Sequence, residues 1–160
     1  MGDGEPRSAE GAAATDIVLG VLRMNGLMVA AGDRLAAPSR LTAARWQVLG
    51  AIALARRPMT VPRIARRMGL SRQSVQVSVN RLVDDGLIEA EENDDHQRSP
   101  LFRLTKLGTA SYAEVDRRQV RWINELAAGL PLVELAATTR VLTELADRLA
   151  TTARAMNERE

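Results

Sequence analysis

Residues 60–88 read TVPRIARRMGLSRQSVQVSVNRLVDDGLI, and the spacing of apolar positions within them decides the fold. Val61, Ile64, Ala65 and Met68 recur at helical intervals and predict one buried face. Thr60 opens that helix, and Pro62 falls in its first turn, where a missing N–H costs nothing. Arg63, Arg66 and Arg67 are left on the outside. Gly69 is available for a left-handed turn and Ser71 for the cap of a following helix, so two short helices meet at a sharp angle. In the second, Val75, Val79 and Leu82 form the inward stripe. Gln73, Val77 and Asn80 then face outward, with Ser74, Gln76 and Arg81 beside them. A helix that enters the major groove needs amide or guanidinium groups for base edges, hydroxyls for phosphates and an apolar group for thymine methyls, and this face carries all three. Val77 either meets such a methyl or is an ordinary exposed valine; the residues alone leave both open.

Gly86 ends the second helix, and residues 87–105 read as a hairpin: LIEAEE as a strand, NDDHQRSP as a turn and LFRLT as the return. The acids of this wing, Glu89, Glu91, Glu92, Asp94 and Asp95, oppose a nucleic-acid role until Arg98 is considered. An arginine at a hairpin tip suits a narrow minor groove, and the nearby Asp95 is placed to hold its guanidinium before binding.

Outward from this centre, Thr42 caps the helix AARWQVLGAIALA, and RRPM breaks it. Before it, an apolar run from Thr15 closes at Ala37–Ser39 and predicts a long first helix despite Gly20, Gly26 and Gly32. After Thr105, two long helices are separated by Gly129 and Pro131. Leu132, Leu135, Leu142, Leu145 and Leu149 make a stripe in the last one that exceeds what a small winged domain can bury, and a second subunit is its natural cover. The expected organisation is a disordered tail over 1–14, a dimerisation helix over 15–38, a winged helix-turn-helix domain over 41–105 and C-terminal dimerisation helices over 106–156. The fold class is mainly α with a small β-wing.

Charge is informative in its distribution. The net of +2 is close to neutral over 160 residues. Between Asp33 and Asp84, however, no acid occurs, while Arg34, Arg40, Arg45, Arg56, Arg57, Arg63, Arg66, Arg67, Arg72 and Arg81 all fall in that interval. Such a block is the footprint of a surface that neutralises phosphates and releases counterions, or else a solvated arginine-rich face. Cysteine is absent and His96 is the one histidine, so no disulfide framework, thiol nucleophile or metal cluster is expected. No uninterrupted run of eighteen apolar residues and no apolar leader occurs, which sets the expectation of a cytoplasmic protein without a membrane partner.

The order helix, helix, turn-helix, wing, two long helices resembles the multiple antibiotic resistance regulator (MarR) family of winged-helix repressors over nearly the whole chain. The stretches that carry the resemblance are LTAARWQVLGAI, VPRIARRMGLSRQSVQVSVNRLVDDGLIE and HQRSPLFRLTKLG, the last ending in the Leu-Thr-x-x-Gly pattern that the family shows. The resemblance implies a homodimer on a palindromic double-stranded operator, its first, fifth and sixth helices interlocked. It also implies major-groove contacts from Ser71, Arg72, Gln73, Ser74 and Gln76, and a minor-groove contact from Arg98. Two departures stand out. Many relatives have arginine where this chain has Val77, and many have Asp-x-Arg at the wing tip, whereas here His96 takes the aspartate's place and Asp95 precedes it. The wing's internal ion pair is therefore expected to be rearranged. In relatives a small aromatic or acidic effector binds where the dimer helices meet the winged domain. Met24, Met28, Trp46 and Leu49 are the residues this implies here, with Arg45 as partner for an acidic group, although Met and Trp at helical spacing also suit an ordinary core.

The expectation is thus a sequence-specific dimeric regulator, a repressor that a small molecule releases, with no cofactor. The alternative is a winged-helix module that docks protein without specific DNA binding. An enzyme is not expected, since the sequence lacks a nucleophile and base constellation, a metal cluster and a phosphate loop.

Overall fold

The computed structural model describes residues 6–94 and 99–157. It is mainly α-helical with a two-stranded antiparallel wing. Contacts divide it into two compact units, Met1–Val120 and Arg121–Glu160.

Helix α1 runs Ala9–Ala36, capped by Ser8, whose Oγ accepts from the Gly11 N–H at 3.1 Å. The disordered tail expected over 1–14 is therefore corrected for Ala9–Ala14, which are helical. The run of alanines there has the highest helix propensity. Thr15 is no cap: its Oγ1 donates back to the Gly11 carbonyl at 2.7 Å, one turn earlier. The glycines do not interrupt the helix, and Gly32 permits a close crossing, since a Cβ there would stand 3.0 Å from that of Ala43.

A 3-10 turn, Ala37–Ser39, leads into helix α2, Ala43–Ala55. The first turn of α2 is capped twice. Thr42 Oγ1 accepts from Arg45 N at 3.3 Å, and Asp33 Oδ1, from α1, accepts from Ala43 N at 2.7 Å. Helices α3, Val61–Met68, and α4, Arg72–Asp84, follow as expected, with Gly69 left-handed at φ 64° between them and Ser71 Oγ accepting from Ser74 N at 3.1 Å. Strands β1, Ile88–Glu91, and β2, Leu101–Leu104, pair in the register Ile88 with Leu104 and Glu91 with Leu101. Met59, in the segment read from sequence only as a break, exchanges two backbone hydrogen bonds with Phe102, at 3.0 and 2.9 Å. That bridge fastens the wing to the start of α3.

The core joins Val48, Leu49 and Ile52 of α2, Ile64 of α3, and Val75, Val79 and Leu82 of α4 to Ile88, Phe102 and Val115. Helix α5, Lys106–Ala127, starts at a tight joint. Thr105 Oγ1 accepts from Gly108 N at 3.0 Å and donates to the Gly86 carbonyl at 2.8 Å, and Thr105 N donates to Leu87 O at 3.1 Å. Gly108 is required there, because a Cβ would fall 1.9 Å from the Leu87 carbonyl oxygen. The Leu104-Thr105-x-x-Gly108 pattern is thus a device that fixes α5 against the end of α4 and the foot of the wing. Farther along α5, Arg118 donates to Leu35 O at 3.0 Å and Ser39 Oγ at 3.2 Å, tying α5 to the end of α1.

Helix α6, Leu132–Asn157, belongs to the second unit. Of its leucine stripe, Leu132, Leu135 and Leu149 are exposed and Leu142 and Leu145 half-buried. Helix α1 is likewise apolar and open: Leu22 is 65% exposed and Leu27 71%. Its apolar residues are interrupted too often for an unbroken run, yet an 18-residue window within Ala9–Ser39 has a mean hydropathy of 1.4, and the helix is long and apolar enough by those measures to cross a membrane.

Candidate nucleic-acid interface

Helix α4 has one sealed face and one open face. Val75, Val79 and Leu82 are wholly buried and Ser78 nearly so, which turns Arg72, Gln73, Gln76, Val77, Asn80 and Arg81 to solvent. Val77 is 53% exposed, so its side chain has no core contact to explain it. Gln76 Nε2 donates to Asn80 Oδ1 at 2.8 Å, and the hydroxyls of Ser71 and Ser74 lie 2.8 Å apart at the helix start. These pairs leave the amide oxygen of Gln76 and the amide nitrogen of Asn80 without a partner in the pair, open to solvent. The sequence-predicted reading residues are therefore brought together on one exposed row. Asp95, His96 and Arg98, the expected wing-tip group, lie outside the described residues.

Beside α4 the wing closes one wall of a groove of about 360 Å³, lined by Val61 and Pro62, by Arg72, Gln73 and Gln76, and by Ser99, Pro100 and Phe102. The acids of the wing are partly accounted for by a residue that sequence reasoning passed over. Arg103 pairs with Glu89 at 2.7 Å and also with Glu91, its cross-strand and diagonal neighbours. Alternation in the two short strands puts these three on the outer face, and that is the signal from which the pairing was readable.

The arginine block does not form one surface. Arg45, half of whose expected role lay in an effector site, is 14% exposed in its side chain and pairs with Asp85 at the end of α4, while its Nη1 donates to the Arg40 carbonyl at 3.3 Å. Arg56 and Arg57 sit with Pro58, Arg103 and Leu104 at the α5 end of β2. Arg63, Arg66, Arg67, Arg72 and Arg81, on α3 and α4, remain exposed.

The residues expected for the effector are not gathered in one cavity of the single chain. Leu49 is fully buried in the core, which corrects its assignment as a pocket lining. Trp46 packs partly buried against that core, its Nε1 buried without a hydrogen-bond partner. Met24 and Met28 are 49% and 54% exposed on α1. Among the described residues no group of three or more His, Asp or Glu is arranged to hold a metal.

Comparison with known proteins agrees with this geometry. A MarR family model matches residues 41–99, from the start of α2 into the wing. An uncharacterized protein of Mycobacterium tuberculosis is 38% identical over 122 residues, which is 76% of this chain and 84% of that protein. Among solved structures, a MarR family transcription regulator superposes with a TM-score of 0.75 at 23% identity, covering 91% of this chain and 95% of the other. The M. tuberculosis transcriptional regulator MOSR, solved in complex with DNA, gives 0.67 at 21% identity over 82% and 96% of the two chains. Staphylococcus aureus MarR, solved with salicylate and kanamycin, gives 0.70 at 15% identity over 88% and 94%.

Proposed function

The chain belongs to the MarR family of transcription regulators, and on that premise we propose that it is a dimeric, sequence-specific repressor that docks α4 in the major groove of a palindromic operator. The observation that carries the reading is the row Gln73, Gln76, Val77 and Asn80, exposed on a helix whose opposite face is fully buried. Gln and Asn are the side chains that pair bidentately with adenine, and Val77 offers a methyl surface to thymine where an arginine would reach guanine or phosphate. Ser71, Ser74, Arg72 and Arg81 flank the row as phosphate contacts, and the family resemblance gives Arg98 the minor-groove contact, with Asp95 and His96 as its support.

Dimerisation is typical of the family, and the open apolar residues of α1 and α6 support a dimer through these helices and α5. A second copy of the chain also accounts for the apolar length of α1 without a membrane, since Asp16, Arg23, Asp33 and Arg34 punctuate it. Cytoplasmic location follows from the same reading. Release by a small aromatic acid would act where the dimer helices meet the winged domain, with Met24 and Met28 of α1 and Trp46 of α2 as the candidate lining. The salicylate bound to the staphylococcal relative supports that ligand class. For Arg45 the role narrows to positioning, because Asp85 already occupies its guanidinium.

The test is selection of bound duplexes from a random pool. Enrichment of an inverted repeat with half-sites about one helical turn, roughly 10 base pairs, apart is the expected result. A pool that stays unenriched while the protein captures a polypeptide partner at high salt would favour the protein-docking alternative.

A further inference from the structure

Resting on the DNA-binding reading above, we infer that the notch between α3 and the base of the wing is a second, separate contact: a phosphodiester clamp built by Arg63 and Arg66. The notch has a volume of about 330 Å³. Thr60, Pro62, Arg63 and Arg66 line it from α3 and its cap, and Asn93, Ser99 and Leu101 from the wing. Both arginines are exposed while Ile64 and Ala65 between them are buried, so the helix holds its two guanidinium groups on one side, three residues apart. Neither makes an ion pair with a described residue. The wing wall is braced: Asn93 Nδ2 donates to the Ser99 carbonyl at 2.7 Å across the foot of the loop.

Two further observations identify the occupant as the backbone of the duplex that α4 enters. The notch shares Pro62 and Ser99 with the groove of Arg72, Gln73 and Gln76, so the two form one continuous trough from the reading row to Arg66. A strand that borders the major groove beside α4 runs along that trough. Charge also differs across the wing base. Asn93 also borders a neighbouring hollow whose charged lining is Glu91, Glu92 and Asp94, which a duplex would avoid. The side of the wing base that faces the two α3 arginines is therefore the one that docks on DNA, and the acidic hollow is left to solvent.

The experiment measures binding of the full-length protein by fluorescence anisotropy, to its selected operator and to a scrambled duplex, over a range of KCl. For Arg63→Gln with Arg66→Gln, the salt slope should shrink by about one to two phosphate equivalents, each worth about a 3.5-fold change between 50 and 200 mM salt. The loss should be the same on both duplexes. Arg56→Gln with Arg57→Gln, at the far end of β2, should leave the slope unchanged. An independent arm uses wild-type protein and operators carrying one neutral methylphosphonate at successive positions: one position in each half-site should weaken binding, and the Arg63→Gln, Arg66→Gln variant should be indifferent to it. An unchanged slope in that variant, or a loss confined to particular base pairs, would overturn the clamp while leaving DNA binding intact. Failure of the wild type to bind any duplex would instead sink the parent reading.

Discussion

Replacing Gly108 with alanine should break the joint that sets the wing, the end of α4 and α5 relative to one another. The added Cβ would stand 1.9 Å from the Leu87 carbonyl oxygen and 2.9 Å from its carbon. A tolerable carbon–oxygen contact begins near 3.3 Å, so α5 must retreat by about 1.4 Å. Three hydrogen bonds meet at this point: Gly108 N to Thr105 Oγ1 at 3.0 Å, Thr105 Oγ1 to Gly86 O at 2.8 Å and Thr105 N to Leu87 O at 3.1 Å. A shift of that size cannot preserve all three. Overpacking costs about 1–3 kcal/mol and each lost bond about 0.5–1.5 kcal/mol, so a destabilisation of roughly 2–5 kcal/mol is expected. Urea unfolding followed by far-ultraviolet circular dichroism at one fixed protein concentration reads it, with Gly50→Ala as the control. A Cβ at position 50 would meet Tyr112 at 3.4 Å, a contact a small shift relieves, and the change should stay under about 1 kcal/mol. A Gly108→Ala protein as stable as wild type would refute the joint as described.

Gln73→Ala and Gln76→Ala should each relax discrimination at particular operator positions by about 1–3 kcal/mol, measured against single-base operator variants; equal loss on every sequence would mean that α4 reads with another face. Removing the chain from Pro131 onward should abolish the dimer and lower operator affinity with it, as sedimentation and anisotropy would report; a truncated protein that still sediments as a dimer contradicts the role given to α6. Asp85→Asn should leave the largely buried Arg45 guanidinium short of its partner, costing about 1 kcal/mol in stability and weakening operator binding through the displaced end of α4; unaltered DNA affinity would separate this pair from recognition.

The elements that build the winged domain were legible because periodicity and caps coincide in them. Val61, Ile64 and Ala65, then Val75, Val79 and Leu82, are inward as their spacing requires, and Ser71, Gly69 and Gly86 punctuate as their chemistry dictates. What the sequence hid depends on contacts between distant residues. Arg45 and Asp85 are 40 positions apart, and neither spacing nor composition joins them. That pairing removes one arginine from a block that looked uniform. The start of α1 was misread for a local reason: Thr15 resembles a cap, but Ser8 and the alanines after it nucleate the helix sooner. Leu49 was expected to line a pocket with Trp46; three positions apart, the two share one side of α2, and that side packs on the core, which buries Leu49 completely. The apolar length of α1 and the leucines of α6 were legible as surplus, and a single chain leaves them open.

The central claim is that this chain reads a DNA sequence through α4 while anchoring on phosphates. The measurement that bears on it most directly is the affinity of the full-length protein for its selected operator and for a scrambled duplex across a salt series. Repression through specific recognition predicts a preference for the operator of about a thousandfold or more, together with a slope of log affinity against log salt of roughly −5 or steeper. Equal affinity for both duplexes, or a slope near zero, would contradict it.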